Sequence, residues 1–230
     1  MTTANNALIG ILMLDSRFPR IAGDIGNPVT WPFPVRFATV SGATPEAVVT
    51  GDVEPFVQAF IEAGQKLVAE GCTGISTTCG FLALIRPRLA KALGVPVAAS
   101  SLEQAPMIMA MLAPEQQIGI LTISARTLSA EHLAVAGVPQ GSPVQGVDDT
   151  AFARTILNNE TELDVPQARR NMVAGATRLV DENPRIGAVL LECTNMVPYA
   201  ADIAQAVKRP VFSVSTYLRW FHESLAPRTF

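Results

Sequence analysis

Eight short apolar runs alternate with eight longer segments of helical period, and several landmarks of the first half return in the second; both observations predict an α/β protein. The expected architecture is two pseudo-symmetric lobes, each a four-stranded, mostly parallel sheet flanked by helices, with the active site in the cleft between them. Composition agrees. Apolar residues make up 49% of the 230 and charged residues 16%, below the roughly 25% usual for soluble proteins, so much of the chain must be interior.

The first strand is expected over residues 8–14, a nearly unbroken apolar run that stops at Asp15. Residues 15–34 then form the longest irregular stretch, and a loop of that length in a compact domain is usually functional or a lid. The β-branched run 35–40 reads as the second strand, and helical period begins at residues 53–70. Strands at 74–78 and 95–99 bracket a helix over 81–93, and a helix over 102–112 follows. The second half repeats the order, with strands at 118–123, 144–147, 188–191 and 211–214. Its helices fall at 127–136, 151–159, 166–182, 198–207 and 216–225. These elements divide into an N-terminal lobe of residues 1–100 plus 212–230 and a C-terminal lobe of 101–211.

Internal repetition supports that division. The tetrad IGIL occurs at Ile9 and again at Ile118, and AGQKLVAE from Ala63 has a counterpart in AGATRLVDE from Ala174. Cys79 and Cys193 are 114 residues apart, and so are the Pro-Val pairs at Pro96 and Pro210. Four landmarks in one order imply two copies of a βα unit, each with one cysteine at the same corner.

Charge and composition exclude several classes. A net charge of -3 and a pI near 5.4 offer no basic stripe for nucleic acid, and aromatics at 6% give little stacking surface. The opening residues lack a basic start and a full signal-peptide core, and no window is long and apolar enough to span a bilayer. The expectations are therefore a cytoplasmic protein and no nucleic acid or membrane partner. The apolar excess hints at surface buried between subunits of a homo-oligomer. Three widely spaced cysteines with only two histidines argue against a zinc site or a disulfide framework, and no cofactor fingerprint is present.

In parallel α/β units ligands bind beyond the carboxyl ends of the strands, where the next helices start. Cys79 and Cys193 both occupy that corner. A helix N-terminus lowers a nearby thiol's pKa, so each is expected to ionise readily. Two thiols facing one cleft from opposite sides suit proton removal on one face of a carbon and return on the other, which is racemisation or epimerisation. Thr77, Thr78, Gly80, Thr122, Ser124, Thr194 and Asn195 offer donors for the carboxylate that would steady the carbanion.

The motifs TTCGF, LECTNM and LMLDSR, with the twofold repeat, resemble the aspartate/glutamate/hydantoin racemase superfamily. That resemblance covers nearly the whole chain and implies a cofactor-independent isomerase with Cys79 and Cys193 as the two bases. It further implies that Thr194 helps to hold the carboxylate and that Asp15 and Ser16 match an Asp-Ser pair after the first strand. The chain departs from amino acid racemases at Gly80 and Phe81, where Asn-Thr is usual, and at Asn195, where His or Glu is common. The superfamily also includes arylmalonate decarboxylases and maleate isomerases, which make a lyase or a cis-trans isomerase the alternative to a racemase; a solute-binding module is a further one.

Other residues have blander readings. Cys72 has no partner in the repeat and is expected to fill core. Strict alternation turns Glu192 away from Cys193, which favours a structural role. His222 is expected in packing and His132 at the surface. Trp31 and Phe33 are expected as an aromatic wall over the cleft, and Arg17 and Arg20 as solvated charges.

Overall fold

A computed structural model describes residues 7–227. Its first sheet holds β1 (Ile9–Leu14), β2 (Val35–Val40), β3 (Gly74–Thr77) and β4 (Val97–Ala98) in the order β2-β1-β3-β4, all parallel. The second sheet holds β5 (Gln117–Thr122), β6 (Val144–Gly146), β7 (Ile186–Leu191) and β8 (Val211–Phe212) in the order β6-β5-β7-β8, again parallel. The two orders are the same permutation, so β3 and β7 are equivalent central strands. β7 is buried at every position, as a parallel strand covered on both faces must be.

Helices α1 (Pro45–Val49), α2 (Val57–Ala69), α3 (Arg86–Leu93) and α4 (Ala105–Met111) precede β5. After it come α5 (Ala130–Val135), α6 (Ala151–Leu157), α7 (Val165–Glu182), α8 (Ala200–Val207) and α9 (Val214–Leu225). All the expected strands and helices are present. Helix α1 was not foreseen: five residues are too short for a period to register, although Thr44 caps it by accepting the Ala47 N–H and Pro45 starts it. α9 returns to the first sheet, where Phe221 and Leu225 lie against Gly74.

The repeated IGIL tetrads have a packing cause. A Cβ on Gly10 would stand 2.6 Å from Ile75 Cδ1 and 3.0 Å from Leu67 Cδ1 of α2. On Gly119 it would stand 2.5 Å from Ile186 Cδ1 and 3.1 Å from Leu179 Cδ2 of α7. Each glycine therefore lets a long helix settle on the central strand, and the leucine involved belongs to the second repeated motif. Gly10→Ala should destabilise the protein by about 1–3 kcal/mol, the usual cost of overpacking. A thermal melt should show a fall of about 2–4 °C per kcal/mol for a chain this long, and an unchanged melt would count against the close packing. The repeat shows again at helix ends: α3 closes on Gly94 (φ +65°) and α8 on Lys208 (φ +54°), 114 residues later and equally left-handed.

Candidate active site

β3 ends at Thr77 and β7 at Leu191, and each thiol follows two residues later as the N-cap of a six-residue 3-10 helix. These are Gly80–Ile85, leading into α3, and Thr194–Tyr199, leading into α8. The Thr77 hydroxyl accepts the Cys79 N–H (3.3 Å) and donates to the Ala99 carbonyl (2.7 Å), which seats the first cysteine. One bond across the halves and one within the second half seat Cys193. Thr194 donates its hydroxyl to the Thr78 carbonyl (2.8 Å), and Ser101 donates to the Leu191 carbonyl (2.6 Å). The Thr78 hydroxyl in turn accepts the Leu14 N–H at 3.0 Å.

Cys79 and Cys193 line one cavity, about 330 Å³ including its mouth, together with Thr78, Gly80, Glu192 and Asn195. Its remaining walls are apolar, from Leu14, Phe18, Pro45, Val49, Phe81, Ile123 and Ile156. Pro45 and Val49 come from α1 and Ile156 from α6, so elements of both halves close over the thiols. Asn159 adds a latch just after α6. Held at φ +57°, it accepts the Arg17 N–H (2.5 Å) and donates to the Asp15 carbonyl (3.0 Å).

The long loop reaches the site through Asp24, a residue without a signal in the sequence. Asp24 is 3% exposed; its Oδ2 accepts from Asn195 Nδ2 (2.6 Å) and its Oδ1 pairs with Arg20 NH1 (2.7 Å). Arg20 also donates to the Ser16 hydroxyl at 2.8 Å. Asn195 is thereby oriented with its Oδ1 toward Cys193, whose thiol donates to it at 3.5 Å. Arg20 is not a solvated charge; it is the counterion of a buried carboxylate, and both serve to aim Asn195.

Both thiols run opposite to the expected direction. Burial, with the charge of Glu192 second, pushes Cys79 up to about 12; the Phe81 and Leu82 N–H groups and Arg20 act downward. Cys193 is also pushed well above its usual value, by burial first and then by Glu192, with Cys79 and Asp24 adding to it and the Asn195 N–H acting downward. The helix-start donors are present, but desolvation outweighs them.

Glu192 also departs from expectation. β7 stops at Leu191, so the alternation that would turn Glu192 away no longer applies, and Glu192 is among the residues that line the cavity with Cys193. Its Oε2 accepts from the Thr122 hydroxyl at 2.8 Å. A Cβ added to Gly80 would overlap its Oε1, which gives Gly80 a reason that the sequence alone did not show. Burial raises the carboxyl to about 7, against the Thr122 hydroxyl and the Ile123 N–H. Since the folded value exceeds the unfolded one near 4.5, the contribution is complete below pH 4.5 and lost as pH rises through 7. Glu192→Gln cannot titrate, so denaturant unfolding should find the wild type losing on the order of 3 kcal/mol against it between pH 4.5 and 8. Equal pH profiles for the two proteins would contradict this.

Of the remaining candidates, Asp15 accepts the Gly42 N–H at 2.9 Å, and Ser16 is held by Arg20; neither lines the cavity. Ser124 donates to Asp148 at 2.6 Å, and Thr122 faces Glu192, so these two reach the site only through other side chains or not at all. Trp31 and Phe33 do not wall the cleft. Trp31 donates to the Ile25 carbonyl at 2.9 Å and packs with Ile9, Ile11 and Phe221, while Phe33 stacks on His222; Phe18 lines the cavity instead. His132 is buried against the edge of Phe81, not at the surface. Cys72 is buried outside the cavity. Among the described residues no cluster of His, Cys, Asp or Glu could hold a metal, and no helix is long and apolar enough to cross a membrane.

The fold is shared with solved structures of arylmalonate decarboxylase and of two racemases. Arylmalonate decarboxylase matches over 97% of this chain and 94% of its own, with a TM-score of 0.62 at 14% identity. Allantoin racemase from Pseudomonas fluorescens matches over 94% and 90%, with a TM-score of 0.59 at 16% identity, and a glutamate racemase from Bacillus anthracis gives 96%, 84%, 0.62 and 14%. No protein-family model matches the sequence. Curated relatives are closer in sequence: a dimethylsulfoniopropionate lyase of Durusdinium sp. clade D is 28% identical over 94% of this chain and 75% of its own length. Dimethylsulfoniopropionate lyase 3 of Emiliania huxleyi is 27% identical over 94% of this chain and 59% of its own. Against these and a further lyase the chain spans between 45% and 75% of the relative's length. The expectation of an isomerase is overturned by these relatives, which are named as lyases along nearly the full chain.

Proposed function

We propose that the protein is a cofactor-independent lyase that cleaves a β-sulfonium carboxylate of the dimethylsulfoniopropionate type. The similarity of 94% of the chain to dimethylsulfoniopropionate lyases carries this reading, and the two thiols in one apolar cavity supply the chemistry. The substrate enters with its carboxylate toward the backbone N–H groups that open the two 3-10 helices, which offset charge developing next to it. Cys79, toward which the Phe81 and Leu82 N–H groups and the Arg20 charge act to favour the anion, serves as base in its thiolate form.

The thiolate takes the proton from the α-carbon. The C–H electron pair becomes the α,β double bond, and the bond from the β-carbon to sulfur breaks with its pair retained by sulfur. Neutral dimethyl sulfide and acrylate leave, and Cys79 is left as the thiol. Cys193 remains protonated, its S–H directed to Asn195. Such a reaction begins with the same α-proton removal as a racemisation, but the leaving group on the β-carbon consumes the carbanion before a proton can return.

The test is incubation of the purified chain with dimethylsulfoniopropionate, reading dimethyl sulfide in the headspace and acrylate in solution. Equal amounts of both, in excess over enzyme, are expected. Acrylate without dimethyl sulfide, or no turnover by folded protein, would overturn the reading.

A further inference from the structure

We propose that Glu192 is a specificity-determining residue that receives the positively charged pole of the substrate, so that the cavity selects β-onium carboxylates over amino acids. This rests on the lyase reading for the carboxylate end of the substrate, and on geometry alone for the cationic end.

The carboxyl group is fully enclosed yet has no cationic partner among the described residues: the ion pairs leave it out, and Arg20 is committed to Asp24. Its hydrogen bonds come from the neutral Thr122 hydroxyl and the Ile123 N–H. Glu192 is among the residues that line the cavity, and a buried carboxylate is costly unless a charge meets it there. The surrounding walls, Phe18, Val49, Phe81, Ile123 and Ile156, are apolar. A sulfonium or quaternary ammonium fits both features, since it carries positive charge beneath methyl groups and has no N–H to satisfy.

A primary ammonium does not fit. It needs three acceptors; Glu192 can meet part of that need, but the Thr78 hydroxyl already accepts the Leu14 N–H, Asn195 Oδ1 accepts the Cys193 thiol, and the other walls are apolar. An amino acid would leave donors unpaired in a dry site, which is how such sites reject analogues. Gly80 completes the device, because any side chain there would overlap Glu192 Oε1. The charge brought by the substrate also offsets the field of Glu192 that opposes ionisation of both thiols, so the base is released when the right substrate is in place.

Calorimetric titration at pH 8 with β-trimethylammoniopropionate and with its neutral isostere, a tert-butyl group replacing the trimethylammonium, tests this without turnover. The wild type should prefer the cation by about 10-fold or more. Glu192→Gln should bring the two affinities to near equality while changing that of the isostere little. Gly80→Ala, which displaces the carboxylate, should also reduce the preference and serves if the Gln variant does not fold. A wild type with no preference, or a preference that survives in Glu192→Gln, overturns the proposal. Dimethyl sulfide release is read separately: release with the preference intact in Glu192→Gln sinks this inference alone, and lost preference without release sinks the lyase reading alone.

Discussion

Cys79→Ser should lower dimethyl sulfide release by about 10²–10⁴-fold, the range supplied by a positioned general base. A serine hydroxyl keeps the shape of the thiol but ionises far less readily, so the base is lost while the cavity survives. Cys193→Ser should lose less. Burial and Glu192 raise both thiols, but only Cys79 has two backbone N–H groups and Arg20 acting the other way. Cys72→Ser, outside the cavity, should remain within about twofold of the wild type on the same argument. Rates of dimethyl sulfide release from the three variants at one substrate concentration decide the matter, and a Cys193→Ser loss exceeding that of Cys79→Ser would exchange the roles assigned to the two thiols.

Asp24→Ala should cost about 3–5 kcal/mol of stability, because it leaves the Arg20 guanidinium buried without its counterion. The Arg20 side chain is only 11% exposed, and Asp24 also accepts from the Gly26 N–H and from Asn195. The melting temperature should fall on the order of 10 °C at 2–4 °C per kcal/mol. Adding Arg20→Met should recover part of that loss, since the unpaired charge is then gone; a double variant as unstable as the sum of the singles would place the cost elsewhere. Activity should fall in both, because Asn195 would no longer be held with its Oδ1 toward Cys193.

The scaffold was open to reading from the sequence because its signals are local. A parallel strand covered on both faces must be apolar nearly throughout, and a helix lying on it must show a helical period, so β1, β5, β7, α2 and α7 declare themselves. Duplication made the corners legible as well. Once IGIL and the long-helix motif repeat in order, a cysteine after each central strand stands out, and its equivalence to the other follows from numbering alone.

The electrostatics of the cavity was another matter. Glu192 was assigned to the far side because alternation was extended one residue beyond the end of β7. Asp24 lies in an irregular loop where no period says which way a side chain points, and its partner Asn195 is 171 residues away. Trp31 and Phe33 were placed over the cleft on hydrophobicity alone, which does not say which apolar surface will be covered; α9 and β1 claimed them. The thiols were expected to ionise readily because the helix starts can be seen in the sequence, whereas the depth of their burial cannot.

What the amino-acid sequence determined by itself is the pair of βα halves and the two thiols at matching strand ends, since period and repetition are properties of neighbours along the chain. Only the tertiary structure decided that Glu192 and Gly80 fit against each other between those thiols, that Asp24 holds Asn195, and that both sulfurs are hard to ionise. Desolvation and charge pairing depend on which distant segments close over a group, and that is set by packing across the two halves.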